Sequence, residues 1–220
     1  MAAAIPLPTR VKICGLSTEE TLSAALEAGA DWIGLVHFPR SPRHLALPRA
    51  ATLSARAHGR AERVLLLVDP DDALVTAAVE AVDPDLIQLH GRETPDRVAA
   101  IRAVTGRPVM KALGVATRAD LDALPAYAGV ADRILLDAKA PPGAALPGGN
   151  GRCFDWDILR GTELPPGTML SGGLDAGNVA DALARTGLGA VDVSSGVETA
   201  PGAKDPEKIA AFVAAVRGAR

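Results

Sequence analysis

Short runs of branched aliphatic residues alternate along the chain with longer stretches rich in Ala and Leu, and the alternation repeats eight times. The apolar runs fall at 11–14, 31–36, 63–68, 86–89, 108–111, 133–136, 168–170 and 190–193. They read as near-continuous aliphatic segments, as strands of a parallel sheet do when both faces are buried. The amphipathic stretches between them predict helices starting near Thr18, Pro48, Asp71, Thr94, Arg118, Asp155, Asp175 and Pro206. Junctions such as Ala28-Gly29-Ala30-Asp31 and Gly187-Leu188-Gly189-Ala190 end one element and launch the next. Glycine there can take the left-handed conformation that closes a helix.

Strand and helix in strict alternation imply parallel βαβ units with right-handed crossovers. Eight such units favour a closed ring over an open doubly wound sheet. The expected fold class is therefore α/β: a single (β/α)8 TIM barrel with eight parallel strands and outer helices. The chain has 220 residues, close to the lower end of the roughly 200–250 that such a barrel needs. No linker divides it, so 1–220 is expected to be one catalytic domain, with 1–10 as an N-terminal extension. The main irregular stretch, 139–152, is rich in Pro and Gly and follows the sixth strand. A loop of that length at the catalytic end of a barrel reads as a lid or binding loop.

Composition narrows the picture. Hydrophobic residues make up 48% but aromatics only 3%, so the core must be built from Val, Leu, Ile and Ala. The formal net charge is −3 and no run of Lys and Arg accumulates, which argues against a nucleic-acid partner. No apolar run approaches the ~18 residues of a membrane span. Residues 1–8 lack the basic leading region of a signal peptide. The two cysteines, Cys14 and Cys153, form no Cys-x-x-Cys pair, and no zinc pattern surrounds them. Free thiols fit a cytoplasmic location.

Candidate chemistry sits at the C-terminal ends of the strands, where barrel active sites are built. Ser171-Gly172-Gly173 follows the seventh strand and Asp192-Val193-Ser194-Ser195-Gly196 closes the eighth. Glycine lets backbone approach an anion closely, and N–H groups at loop turns bind phosphate without a basic side chain. Both motifs at the two loops that often form the phosphate site of this fold predict a small phosphorylated substrate. Cys14 ends the first strand. It is either a small core residue or a base whose thiol pKa is tuned by nearby charge, with Lys12 and Lys111 as candidate sources. Asp137 ends the sixth apolar run; it reads as a turn residue or as a shielded acid. Arg43 is either a solvated loop residue or a grip for a carboxylate, with Arg40 competing. His90, in Gln88-Leu89-His90-Gly91, is a candidate positioning group. Acid–base chemistry by a thiol and a carboxyl needs no cofactor, and no metal site is assigned.

Several ordered segments resemble the phosphoribosylanthranilate isomerase family: Val11-Lys12-Ile13-Cys14-Gly15, Phe38-Pro39-Arg40-Ser41-Pro42-Arg43, Gln88-Leu89-His90-Gly91, Leu135-Leu136-Asp137, Gly148-Gly149-Asn150-Gly151, Leu170-Ser171-Gly172-Gly173-Leu174 and Asp192-Val193-Ser194-Ser195-Gly196-Val197-Glu198. Phe154-Asp155-Trp156 and Pro201-Gly202-Ala203-Lys204-Asp205 add to the match. The resemblance runs from about residue 11 to the C-terminus. It implies an Amadori rearrangement in tryptophan biosynthesis, with Asp137 as acid and Cys14 as base. It also implies that Arg43 contacts the anthranilate carboxylate and that Gly173, Ser194, Ser195 and Gly196 lie in the phosphate loops, with Asp192 beside them. His37 and Asn150 depart from the family pattern. The competing expectations are indole-glycerol-phosphate synthase, the histidine-pathway isomerase and a catalytically silent sugar-phosphate-binding barrel. The synthase would carry a longer N-terminal segment and the histidine-pathway isomerase an Asp where Cys14 stands; this chain has neither.

Overall fold

A computed structural model describes residues 8–140, 143, 148–149, 151 and 153–219. Eight parallel strands close into a ring in chain order: β1 (Arg10–Cys14), β2 (Trp32–Val36), β3 (Glu62–Leu67), β4 (Leu86–Leu89), β5 (Val109–Val115), β6 (Arg133–Ala138), β7 (Met169–Leu170) and β8 (Ala190–Val193). β1 pairs with both β2 and β8, and its register sets Lys12 opposite Asp192.

Helices α1 (Glu19–Glu27), α2 (Leu47–Ala57), α3 (Asp72–Val82) and α4 (Pro95–Thr105) follow the first four strands. Thr18, Asp71 and Thr94 cap three of them by accepting from backbone N–H groups one turn on. The second half is less regular than the expected eight helices. After β5 a 3₁₀ turn (Arg118–Ala123) leads into the short α5 (Leu124–Ala128), which has Pro125 in its first turn. The helix expected from Asp155 is only a 3₁₀ turn, Trp156–Leu159. Gly161, at φ 72°, and then Pro165-Pro166 stop it from continuing. The helix expected near Asp175 starts later, as α6 (Val179–Thr186). The Asp175 side chain instead accepts from Gly177 N and Asn178 N, holding a turn there. After β8 comes a hairpin, β9 (Glu198–Ala200) with β10 (Ala203–Lys204), and then α7 (Pro206–Gly218). Seven α-helices are present among the described residues.

Two apolar layers follow from strand alternation. Val11, Ile13, Ile33, Leu35, Leu65, Leu67, Ile87 and Leu89 point outward and pack beneath the helices. Inside, Trp32, Val64, Leu86, Met110, Ala112, Leu135, Met169 and Ala190 fill the N-terminal end of the ring. That plug makes the lower barrel solid; Arg10, Glu62 and Arg133 close over Trp32 beneath it, and the mouth's polar side chains lie above it. Among the described residues, no helix is long and apolar enough to cross a membrane.

Candidate active site

Because Val11 and Ile13 face the helices, Lys12 and Cys14 face the barrel interior. By the same parity Leu135 places Asp137 inward on β6, and Asp192 points inward between Val191 and Val193. Cys14 and Asp137 both line a pocket at the C-terminal mouth, on strands three apart around the ring. Counting its solvent-facing space, the pocket encloses about 750 Å³, within the size range of small-molecule sites. Arg43, His90, Gly172, Gly173, Asp192, Ser194 and Ser195 line it too. Gly196 lies just behind, in the short 3₁₀ turn Ser195–Val197.

Cys14 is buried beside a fully buried ammonium. Lys12 Nζ donates to Asp192 Oδ1 at 2.8 Å, and Ser171 Oγ donates to Asp192 Oδ2 at 3.0 Å. Burial pushes the Cys14 thiol up, while Lys12 and, from β10, Lys204 oppose that shift and Asp192 adds to it. Burial also penalises the Lys12 ammonium, but Asp192 and then Cys14 outweigh it, so Lys12 holds its proton above the ordinary range. The thiol thus sits beside an ammonium whose hold on its proton is strengthened. Gly34 on β2 makes room for it, since a Cβ there would come within 2.9 Å of Cys14 Sγ. Gly34 is a site residue that sequence reasoning passed over; a lone Gly inside the aliphatic run Trp32-Ile33-Gly34-Leu35-Val36 marks such a close approach.

Asp137 is held from two sides. Ala138 N donates to its Oδ1 at 3.0 Å, and His90 Nε2 lies 3.1 Å from its Oδ2. The other ring nitrogen of His90 lies 2.9 Å from Gln88 Nε2, so Gln88 and Asp137 bracket the ring from its two nitrogens. Gln88 is fully buried in the barrel interior and was not anticipated as a support for the acid.

The two glycine-rich loops meet at the far wall. Among the described residues the amides of Gly172, Gly173, Ser195 and Gly196 have no protein acceptor. Gly172 takes φ 91°, and a side chain there would collide with Ala138. Ser194 Oγ donates to Cys14 O at 3.1 Å, tying the second loop to the end of β1. Free N–H groups beside a short helical turn are the kind of feature that can receive an anion.

Arg43 and Arg40 separate cleanly: Arg40 is exposed and Arg43 is 6% exposed. The Arg43 guanidinium is already gripped by a carboxylate of this chain, with Nε and Nη2 donating to Glu198 at 2.7 and 2.8 Å. Lys111 does not serve Cys14. Its neighbours Met110 and Ala112 point inward, so Lys111 points outward, where Nζ bonds Glu93 Oε2 at 2.7 Å and Gly91 O at 2.8 Å. His37 Nδ1 is 2.8 Å from Leu45 O, and its ring packs against His44. The expected lid, 139–152, lies largely outside the described residues, as do Asn150 and 1–7.

The fold and site define a β/α-barrel enzyme whose mouth sets a buried thiol and a histidine-bonded carboxyl beside two amide-rich loops. Residues 11–215 match the family described as N-(5'phosphoribosyl)anthranilate (PRA) isomerase. An N-(5'-phosphoribosyl)anthranilate isomerase from Azorhizobium caulinodans is 66% identical over 209 residues, 95% of this chain and 92% of that protein. The crystal structure of phosphoribosyl anthranilate isomerase from Thermotoga maritima superposes with a TM-score of 0.82 at 32% identity, covering 96% of this chain and 99% of that one. A second isomerase structure, in complex with reduced 1-(o-carboxyphenylamino)-1-deoxyribulose 5-phosphate, gives a TM-score of 0.80 at 31% identity over 96% and 99% of the two chains. The chain belongs to the N-(5'-phosphoribosyl)anthranilate isomerase family and is an isomerase.

Proposed function

We propose that the chain, as one catalytic domain over 1–220 in the cytoplasm, converts N-(5-phosphoribosyl)anthranilate to 1-(2-carboxyphenylamino)-1-deoxyribulose 5-phosphate, a step of tryptophan biosynthesis, with Asp137 as acid and Cys14 as base. The observation that carries this reading is the shared pocket: a thiol and a carboxyl face it from β1 and β6, next to loops with free amides. The ligand of the related complex is a phosphorylated, carboxyphenyl-bearing compound. A molecule with an anion at each end suits a mouth with unpaired amides on one side and a guanidinium on the other.

The steps follow from the residues. Asp137 gives its proton to the furanose ring oxygen, the C1′–O bond breaks, and the anthranilate nitrogen lone pair forms the C1′=N iminium. Cys14 as thiolate takes the C2′ proton; the C–H electrons form C1′=C2′ and the iminium electrons return to nitrogen. The resulting enolamine becomes the ketone as the 2′-hydroxyl proton is lost and C1′ gains one. His90, held by Gln88, keeps Asp137 oriented toward the ring oxygen. Gly172, Gly173, Ser194, Ser195 and Gly196 hold the phosphate, Arg43 holds the carboxylate, and Asp192 orients Lys12 and Ser171 at the sugar.

The test is turnover of freshly made phosphoribosylanthranilate, followed by loss of its fluorescence. Cys14→Ser and Asp137→Asn should each lower kcat by about 10²–10⁴-fold, the usual worth of one acid–base group. Both should retain the far-ultraviolet circular dichroism of the parent and its affinity for inorganic phosphate. Unchanged turnover in either variant removes that residue from the mechanism.

A further inference from the structure

Arg43 sits in a cluster larger than its expected role requires. Glu198, at the start of β9, accepts from Arg43 Nε and Nη2, and its Oε1 also accepts from Lys204 Nζ at 2.6 Å. Lys204 Nζ further donates to Ser194 O at 2.9 Å and to Ser194 Oγ at 3.1 Å. Ser194 Oγ in turn donates to Cys14 O. One continuous polar chain therefore runs from the guanidinium through the hairpin to a phosphate loop and to the strand end that carries Cys14.

Three features set this apart from an ordinary buried ion pair. First, Arg43 and Lys204 share one carboxylate in a buried place, where burial pushes the Lys204 ammonium below its ordinary range although Glu198 opposes that shift. Arg43, Glu198 and Lys204 are all below 9% exposed. A buried charge is costly unless an opposite charge meets it. Burial alone would raise the Glu198 carboxyl, but Arg43 and Lys204 outweigh it and hold it ionised below its ordinary range. Second, the guanidinium is presented in one orientation. Its Nε side faces Glu198 and Nη2 also donates to Gly149 O at 3.4 Å, while Nη1 has no acceptor among the described residues and lies against Gly149 in the pocket wall. With Nε and Nη2 engaged, the fixed fork leaves Nη1 for an incoming carboxylate. Third, the hairpin is braced against the loop that carries Arg43: the turn at Gly202 abuts Pro42 O with no space for a side chain.

We propose that Glu198 and Lys204 are positioning residues, Glu198 aiming the Arg43 guanidinium at the substrate's aromatic carboxylate and Lys204 coupling that grip to Ser194 in the phosphate loop and to the Cys14 strand. This rests on the reading of Arg43 as the carboxylate contact, and the experiment separates the two. The ligands are the reduced product analogue, the same compound lacking the ortho-carboxyl group, and inorganic phosphate, each measured by calorimetry on the full-length protein.

Arg43→Ala should abolish the preference for the carboxylated analogue; if the preference survives, the Arg43 reading fails and the proposal with it. Glu198→Gln, which keeps Arg43, should cut the preference by about tenfold, the weight of a charge-assisted hydrogen bond, without weakening inorganic phosphate. A full preference in Glu198→Gln together with its loss in Arg43→Ala overturns the Glu198 role alone. Glu198→Asp covers the case where the amide variant does not fold, with the same two outcomes. Lys204→Met should weaken inorganic phosphate and the carboxylate preference together, and should raise KM more than it lowers kcat; Lys204→Arg should restore both affinities in part. Loss of only one affinity in Lys204→Met, or of neither, overturns the coupling.

Discussion

Lys12 and Lys111 are both buried strand lysines, and each meets one carboxylate: Lys12 Nζ is 2.8 Å from Asp192 and Lys111 Nζ is 2.7 Å from Glu93. Chemically the two pairs are alike. They differ in which way the strand turns them. Lys12 points into the barrel, beside Cys14, and its partner Asp192 also holds Ser171 at the mouth. Lys111 points out, where Nζ also bonds Gly91 O and where Glu93 takes the amides of Asp69 and Gly91. That pair fastens the loops after β3 and β4 together. One residue of parity on a strand thus decides whether a buried ion pair serves the chemistry or the scaffold.

The sharpest way to break this comparison is to remove each ammonium in turn. Lys111→Met leaves Glu93 buried without its cation, and it should cost about 3–5 kcal/mol of stability in urea unfolding. Its turnover per folded molecule should match the parent. Lys12→Met should also destabilise, but its turnover should fall by about 10²-fold, as when one preorganised charge leaves a closed site. Equal turnover losses in the two variants would erase the distinction between inner and outer pairs.

A smaller effect is expected one residue beyond Glu93. Thr94 caps α4 by accepting from Arg97 N at 3.3 Å. Thr94→Ala should cost about 1 kcal/mol and leave kcat and KM as they are. A change in KM would mean that the outer scaffold reaches the pocket more directly than its hydrogen bonds indicate.

Parity also marks where the sequence was legible. Strands buried on both faces read as aliphatic runs whichever residue faces in, so the ring of eight could be read without knowing any register. The same property hid the direction of Lys111: flanked by Met110 and Ala112, it has no polar neighbour to give its side away. Cys14, Asp137 and the Ser-Gly loops were legible because they interrupt apolar runs at the strand ends. Their partners were not, because the bonds that define them are long-range: Lys12 meets Asp192 across 180 positions and Arg43 meets Glu198 across 155. Gln88 is part of the strand-end segment Gln88-Leu89-His90-Gly91, but its role beside His90 depends on the ring, which sets His90 against Asp137. The irregular second half fell short of eight helices for local reasons, Pro125, Gly161 and Pro165-Pro166, whose punctuation outweighed the amphipathic pattern around them.

The finest test of the inner pair is the pH at which Cys14 becomes reactive. Three charged groups face its thiol: Lys12 from its own strand, Asp192 from β8 and Lys204 from β10. Burial raises the thiol above its ordinary value, so kcat/KM should rise with pH through a point above the usual cysteine range. The two charges of the pair act with opposite sign. Lys12→Met removes an opposing cation and leaves burial less checked, so the rise should move to higher pH. Asp192→Asn removes an anion that disfavours the thiolate, so the rise should move to lower pH. The two shifts should be opposite in sign. Alkylation of Cys14 by iodoacetamide across pH reads the same group without substrate, in a Cys153→Ser background because Cys153 is exposed. Lys111→Met should leave that profile where it is, since Lys111 faces the other side of the sheet. A shift in Lys111→Met as large as that in Lys12→Met would show that the field reaching Cys14 does not depend on which way the lysine points.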